Sequence, residues 1–199
     1  MNEMFRRPTL SRTTQAAEGL MRRRWTVAEI EAMVEAGIIG ENERFELIGG
    51  EVVPMAAKGI RHETLKVALA KFWYRHLPDG IEMATETTFR MNEDTFVEPD
   101  FVFWRTADGL VNLKPETALL AVEVADSSLA FDLGRKALLY ASFAIREVWV
   151  INARTFTTHV LRHPGVEGYS DKRKLDRKKT LTIDFAPALA VSLGSLQLL

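Results

Sequence analysis

Two carboxylates in apolar surroundings are the residues of this sequence best suited to chemistry. Glu123 lies inside the apolar run 118–125, ALLAVEVA, and Asp100 follows Pro99 at the start of FVFW. An ionised carboxylate in an apolar strand needs an ionic partner, hydrogen bonds or a metal ion, because burial without one is costly. For Glu123 alone, a structural partner such as an arginine explains the pattern as well as a functional site does.

Asp100 and Glu123 together point more strongly to a site. If they occupy similar positions on neighbouring central strands, their like charges lie close together and repel. A divalent cation is a common way to hold two such groups ionised, and Mg²⁺ prefers hard oxygen ligands. We therefore expect Mg²⁺, or Mn²⁺ in its place, as the cofactor.

Lys136 is the candidate for positioning water and stabilising charge next to these acids. It follows Asp132 by four residues, a spacing that places both side chains on one face of a helix, and Tyr140 continues that face. The alternative is an exposed salt bridge between Asp132 and Lys136, worth roughly a few tenths of a kcal/mol.

The remaining polar candidates carry weaker signals. His62 opens a predicted helix between two charged neighbours, which favours an exposed position. Glu46, in a short strand between Phe45 and Leu47, lies either on the polar face or in the site. His159 and His163 have an H-x3-H spacing, but a strand context without cysteine disfavours zinc.

Hydrophobic periodicity predicts the elements that must position these residues. A helix begins at Thr26 with a capping box and ends before Gly37 and Gly40. Two further helices are predicted over residues 60–77 and 129–144. We predict the buried side of the last helix to consist of Phe131, Ala137, Leu138 and Phe143. The predicted strands are 44–48, 51–56, 82–90, 98–104, 118–125, 147–152 and 155–161. Gly49-Gly50 suits the tight turn between the first two strands. This order predicts a single α/β domain on a mixed sheet, covering residues 25–199.

Composition excludes several classes of protein. The 199 residues include no cysteine, which excludes disulfide scaffolds and thiolate chemistry, and no apolar run is long enough to span a membrane. We expect a cytoplasmic protein without membrane contact.

The net charge of the chain is −1, but it is unevenly distributed: residues 1–24 and residues 171–179 each carry a net charge of +4, and residues 25–170 carry −8. The first segment reads as a flexible basic leader and the second as a solvated loop, although both could attract a polyanion.

The motifs in their order resemble a known family. The sequence has FELIGGEVVPM, His62 at a helix start, EPDFVFW, AVEVADSS, D-x3-K-x3-Y at 132–140 and REVWVIN. This series resembles the Uma2 family (DUF820) of the PD-(D/E)xK restriction-endonuclease-like superfamily, from about Thr26 to the C-terminus.

The resemblance implies a restriction-endonuclease-like α/β core, in which a mixed β-sheet is flanked by helices and the site lies at the ends of the central strands. Ala125 stands where the superfamily usually has its lysine, and the family resemblance moves that role to Lys136. By this resemblance, the catalytic residues are Asp100, Glu123, Lys136 and His62. The metal ligands are Asp100, Glu123 and the backbone carbonyl of Val124. Residues that support the site are Glu46, Asp132 and Tyr140.

Three functions stay open at this point. The first is a Mg²⁺- or Mn²⁺-dependent endonuclease with DNA as its substrate. The second is a catalytically silent nuclease-like module that binds nucleic acid or another partner, which the near-neutral charge favours. A hydrolase of a smaller phosphoester is the third. A homodimer is a further expectation, for which Trp149 and Phe156 are interface candidates, although core packing explains both equally well.

Overall fold

The computed structural model describes residues 23–40 and 42–197. Of the predicted basic leader, residues 1–22 lie outside the described residues. The helical elements are α1 (Val27–Glu35), α2 (Ile60–His76), α3 (Leu129–Phe131), a π-helical turn (Asp132–Lys136) and α4 (Ala137–Ser142). The strands are β1 (Phe45–Ile48), β2 (Glu51–Pro54), β3 (Ile81–Ala84), β4 (Phe89–Asn92), β5 (Thr95–Val97), β6 (Phe101–Arg105), β7 (Leu120–Ala125), β8 (Glu147–Asn152), β9 (Thr158–Gly165), β10 (Gly168–Leu175), β11 (Thr180–Leu181) and β12 (Val191–Ser192).

A six-stranded mixed sheet forms the centre of the fold, with the strand order β10-β9-β8-β7-β6-β3. β7 and β8 run parallel, and every other neighbouring pair in this sheet is antiparallel. A smaller sheet has the order β2-β1-β5-β4, and β11 pairs with β12. The prediction of an α/β fold with a mixed sheet is therefore confirmed.

Both faces of β7 are covered, and all six of its residues are buried. On one face, Leu69 and Trp73 of α2 belong to the same apolar cluster as Val122. On the other face, Tyr140 of α4 belongs to a cluster with Ala121. Successive strand residues point to opposite faces, so an apolar residue is needed at nearly every position of such a strand. The continuous apolar run therefore predicted this central strand correctly.

The helix predictions hold, with one irregularity. Thr26 and Glu29 form the expected capping box at the start of α1. The helix predicted over 129–144 contains a π-helical turn between α3 and α4, and Leu138 is 51% exposed rather than buried. Within residues 23–40 and 42–197, no helix has the length and apolar character needed to cross a bilayer.

The turn between β1 and β2 has the predicted glycine geometry. Gly49 and Gly50 have φ values of 58° and 76°, a region that residues with a side chain rarely adopt. A Cβ atom at Gly50 would lie 2.5 Å from the Cβ of Arg24, whereas one at Gly49 would meet no atom within 4 Å. Gly50 is therefore required both by conformation and by close packing.

One strand prediction and one loop prediction are wrong. The segment 82–90 forms parts of β3 and β4, which belong to different sheets, and the chain changes direction at Glu86 with a φ of 50°. The predicted loop 171–179 begins inside β10, which pairs with β9. β10 is an edge strand whose lysine and arginine side chains are exposed, so its sequence carries no apolar alternation to indicate a strand.

The proposed aromatic interface is also wrong for Trp149. Its side chain is completely buried, and its indole Nε1 donates a hydrogen bond of 2.6 Å to Glu147. Phe156 is half-buried and packs against the same apolar cluster as Trp149. Core packing, the alternative reading of these two aromatics, is what the structure shows.

Candidate active site

The register between β6 and β7 brings two acids next to each other. Phe101 lies opposite Val122, so Asp100, one residue before, lies next to Glu123, one residue after. Both acids are buried, with exposed fractions of 4% and 5%. The backbone N–H of Val124 donates to Asp100 Oδ2 at 2.8 Å and orients that carboxylate.

A cavity of about 280 Å³ opens over these acids. Its walls are the end of β2 with the segment that follows it to residue 59, the first turn of α2, the carboxyl end of β7 and the residues from 126 to Lys136. Its size is at the lower end of the range for small-ligand pockets. The charged side chains and histidine that line it are Glu46, Lys58, His62, Glu98, Asp100, Glu123, Asp126, Asp132 and Lys136.

Lys136 is buried in the wall of this cavity. Its Nζ is 2.7 Å from Glu46 Oε1 and 2.9 Å from Glu123 Oε1, and 5% of the side chain is exposed. The alternative of an exposed salt bridge with Asp132 is therefore wrong. Asp132 instead accepts a 2.6 Å hydrogen bond from the Ser128 hydroxyl, and burial raises its pKa.

The π-helical turn explains how this helix supplies two buried polar residues. The N–H of Ala137 donates to the carbonyl of Asp132, five residues earlier, instead of four as in an α-helix. The wider turn leaves Asp132 and Lys136 both buried, and Tyr140 follows on the buried side of α4. Sequence spacing alone indicated a regular helix here.

Glu123 lies in a strongly perturbed environment. Burial raises its pKa to about 8, because the charged carboxylate is removed from water. The negative charges of Asp132, Asp100 and Glu46 act in the same direction, and the ammonium of Lys136 opposes them. Three other acids thus act on Glu123 against the one ammonium of Lys136, and added positive charge favours the ionised forms of these acids.

Two proton donors bind Glu123. The Tyr140 hydroxyl donates to Glu123 Oε1 at 2.6 Å, and burial together with the neighbouring acids raises its pKa well above the ordinary value. For Lys136, burial acts against the charge, but Glu123 and Glu46 outweigh it and raise the pKa. Both groups keep their protons at neutral pH and act as hydrogen-bond donors.

The expectation that His62 is exposed is wrong, since it is 6% exposed. Its Nε2 lies 3.1 Å from Asp100 Oδ2, and its Nδ1 lies 3.1 Å from Glu63 Oε1. Burial opposes ionisation of Asp100, but His62 and Lys58 outweigh it and lower the pKa of Asp100. The charged neighbours of His62 were misleading because successive helix residues point about 100° apart.

Glu46 joins the smaller sheet to the site. It lies in β1, is buried, and accepts a 3.0 Å hydrogen bond from the backbone N–H of Glu98. The same oxygen, Oε1, accepts from Lys136. Of the two positions that the sequence left open for Glu46, the structure has the one inside the site.

Sequence reasoning missed Lys58, which lines the cavity, and Glu86, which pairs with it. Lys58 Nζ is 3.3 Å from Asp100 Oδ1 and also pairs with Glu86. Glu86 further pairs with Lys66 and Arg44, at 3.0 and 3.3 Å. Burial opposes these cations, but they lower the pKa of Glu86 to about 2. Both residues lie in loops 28 positions apart, so no local pattern marks them.

Comparison with known proteins shows which family the chain belongs to. The Uma2 family, described as "Putative restriction endonuclease", matches residues 27–194. The chain belongs to the Uma2 family. A solved structure from Anabaena variabilis, described as "a putative nuclease belonging to DUF820", has a TM-score of 0.66 at 13% identity, covering 85% of this chain and 95% of that chain. No curated protein matches this sequence. The predicted family and the predicted nuclease-like fold are both confirmed.

The donor set of this Uma2 site fits a hard divalent cation. Asp100 and Glu123 offer carboxylate oxygens, and Val124 lies beside them in the cavity wall with a backbone carbonyl. Lys58 and Lys136 already pair with these acids, so a metal ion here would share the carboxylates with two ammonium groups. Among the described residues, no three His, Cys, Asp or Glu side chains are grouped to hold a metal ion. Two carboxylates with oxygens of water and substrate match the usual Mg²⁺ shell.

Across the residues it describes, the structure shows no feature that supports a zinc site at His159 and His163. His159 and His163 lie on β9, and the described ranges contain no third ligand grouped with them. Burial lowers the pKa of His159, and the charge of Lys174 adds to that effect. That zinc is disfavoured at these histidines stays a prediction from the sequence.

Proposed function

We propose that this Uma2 protein is a Mg²⁺- or Mn²⁺-dependent endonuclease that hydrolyses phosphodiester bonds of DNA. The observation that carries this proposal is the meeting of Asp100, Glu123 and Lys136 in one cavity. Two adjacent buried acids with an ammonium at 2.9 Å from one of them form an arrangement suited to phosphoryl chemistry. The description of the family supports a nuclease at the coarser level.

The residues that would hold the cation are Asp100 and Glu123, through their carboxylates, and Val124, through its backbone carbonyl. When bound, the cation supplies positive charge that stabilises the additional negative charge of the phosphate in the transition state. The N–H of Val124 orients Asp100, and the hydroxyl of Tyr140 orients Glu123. The ligands are thereby preorganised, which reduces the reorganisation needed during the reaction.

Lys136 orients the attacking water and donates a hydrogen bond to it. Its two carboxylate partners, Glu46 and Glu123, hold the ammonium group in place and favour its protonated form. A protonated amine cannot abstract a proton, so the role of Lys136 is positioning and charge stabilisation. Glu46 and Asp132 support that position from β1 and from the π-helical turn.

His62 positions Asp100 and lies at the cavity wall, where it can contact a substrate phosphate. Its Nε2 lies within 3.1 Å of both carboxylate oxygens of Asp100. The Nδ1 contact with Glu63 orients the imidazole ring. Hydrogen bonds to a metal-ligating carboxylate commonly orient it and tune its affinity for the metal.

Nicking of supercoiled plasmid in Mg²⁺ or Mn²⁺ tests this proposal. We expect nicking by the wild type, and a loss of about 100-fold or more in Asp100→Asn and in Glu123→Gln, because each loses an anionic ligand. Lys71→Met, at an exposed position of α2, is the matched control and should retain activity. Chelation by EDTA should abolish nicking by the wild type.

The proposal fails if the wild type nicks no faster than Asp100→Asn in either metal. Thermal melting identifies a variant that has lost its fold rather than its ligand, and Glu123→Gln provides the second variant in that case. A panel of plasmid, single-stranded DNA and small phosphodiesters separates an endonuclease from a hydrolase of smaller phosphoesters.

One observation favours the second candidate, a nuclease-like module that binds nucleic acid or another partner without turnover. Each central acid already has a cationic partner in the protein: Asp100 pairs with Lys58, and Glu46 and Glu123 pair with Lys136. Such pairs compensate the negative charge of the acids without a metal ion. DNA binding that is equal in the wild type and in Asp100→Asn, with no nicking by either, would establish this candidate.

A further inference from the structure

A basic ribbon, residues 172–179 with the sequence KRKLDRKK, forms one edge of the six-stranded sheet. Its first half belongs to β10, the last strand in the sheet order, and its second half is the turn that leads to β11. All six of its lysine and arginine side chains are exposed. The strand portion is held rigidly by pairing with β9, from Lys172 opposite Leu161 to Leu175 opposite Thr158.

Most of the positive charge on the basic ribbon is uncompensated. In the part of the chain that the structure describes, Arg173 pairs with Asp171 at 3.1 Å, and no other side chain of the ribbon has an ion pair. Asp176 accepts the backbone N–H of Lys178 at 2.8 Å and so fixes the turn. Residues 171–179 carry +4 next to a body, residues 25–170, that carries −8.

The register of the sheet places the basic ribbon at the same end as the active-site cavity. Glu123 lies opposite Val150, Val150 opposite His159, and His159 opposite Lys174. Residues directly opposite each other point to the same face, so Lys174 shares the sheet face of Glu123. Three strand spacings separate them by about 14 Å.

Protection of an exposed edge strand explains only some of the lysine and arginine residues of the basic ribbon. Lysines on an edge prevent pairing with other chains, and Lys172 and Lys174 serve that purpose. Arg177, Lys178 and Lys179 lie beyond the strand, where there is no edge to protect. Their exposure and charge are compatible with a solvated turn, and together with the strand lysines they form a surface suited to a polyanionic ligand.

We propose that the basic ribbon binds the phosphate backbone of double-stranded DNA next to the Asp100–Glu123 cavity. This inference rests on the proposed nuclease function and names the surface that holds its substrate. A separation of about 14 Å is comparable to the width of a DNA groove, about 12 Å, so a duplex with one phosphate at the cavity presents other phosphates to the ribbon. The ribbon has no aromatic residue on which unpaired bases could stack, which favours backbone contacts with a duplex over binding of a single strand.

Equilibrium binding to a 30-base-pair duplex in EDTA, followed by fluorescence anisotropy, tests this inference without cleavage. The ribbon variant changes Lys172, Lys174, Lys178 and Lys179 to Gln. We expect about tenfold or greater loss of affinity at low salt, and a slope of log K against log salt that is smaller by roughly 2 to 4, because each lost phosphate contact removes about 0.9.

The control variant carries the same change of charge elsewhere, at the exposed residues Lys71, Arg75, Arg105 and Lys114, each changed to Gln. We expect the affinity of this control variant to change less than about twofold, with the salt slope retained.

Equal losses of affinity in both variants, or a loss confined to single-stranded DNA, would overturn the inference. If the wild type nicks plasmid and the ribbon variant binds duplex normally, the inference fails while the proposed function stands. Absence of both nicking and duplex binding in the wild type would remove both proposals.

Discussion

Asp100 is held by His62 at both carboxylate oxygens, and each oxygen has one further partner. Oδ2 accepts the N–H of Val124 at 2.8 Å, and Oδ1 lies 3.3 Å from Nζ of Lys58. The first contact is to the backbone of the central strand, whereas the second comes from a flexible side chain in the segment between β2 and α2. An ammonium and a divalent cation compete for the same carboxylate oxygen, so Lys58 opposes the cation that we propose for this site.

Replacement of Lys58 by Met should strengthen metal binding. We expect about tenfold tighter binding of Mn²⁺, equivalent to about 1.4 kcal/mol, because Asp100 loses a competing positive charge. Titration calorimetry of the protein with Mn²⁺ measures this effect without any activity assay. Lys66→Met is the control, since Lys66 pairs with Glu63 and Glu86 but not with Asp100. Equal effects of the two variants would show that the contact with Asp100 does not control metal affinity.

At the scale of elements, the site depends on the packing of a small sheet against the central one. β1 contributes Glu46, and the β1–β2 turn holds this strand through Gly50, whose N–H donates to the Asp94 carbonyl at 2.7 Å. The π-helical turn contributes Lys136 from the other side. The Glu46–Lys136 pair therefore joins two elements whose sequence positions are 90 residues apart.

The two glycines of the turn should differ in their tolerance of a methyl group. Gly49→Ala should destabilise the protein by about 1–2 kcal/mol, the cost of a left-handed conformation for a residue with a side chain. Gly50→Ala should lose at least about 1 kcal/mol more, because its Cβ meets Arg24 at 2.5 Å. Urea denaturation measures both free energies of unfolding. Equal losses would show that the chain around Arg24 moves aside without cost.

At the scale of the whole molecule, Glu86 joins parts of the chain that are distant in sequence. It pairs with Arg44 before β1, with Lys58 in the segment after β2 and with Lys66 on α2. These cations lower its pKa to about 2 from the ordinary 4.5, although burial acts in the opposite direction. A carboxyl group whose pKa is lowered by folding stabilises the folded state wherever it is ionised.

Glu86→Gln should therefore destabilise the protein in a pH-dependent way. The difference from wild type should be about 1–2 kcal/mol near pH 7, allowing for partial solvent screening. It should be complete above about pH 4.5 and disappear as the pH falls toward 2, where the folded wild type also binds the proton. Urea denaturation between pH 7 and 3 measures it, with exposed Glu116→Gln as the control. A difference that stays constant over this range would contradict the assigned role.

The sequence by itself determined the family, the central strand and the two acids of the site. The apolar run around Glu123 requires burial on both faces, and EPDFVFW places Asp100 at the start of an adjacent apolar strand. The helices at 60–76 and 129–142 follow from local periodicity, because each buries one face against the sheet. These features depend on neighbours in sequence, and their patterns are therefore readable in the sequence.

Tertiary structure alone decided the contacts that tune the site. Lys136 pairs with Glu46 across 90 positions, Lys58 pairs with Glu86 across 28, and His62 is buried against Asp100 across 38. β10 was hidden for a different reason, since an exposed edge strand has no apolar alternation. Charges find partners through space, and the identity of the partner depends on how sheets and helices pack. No local pattern of residue types encodes that choice.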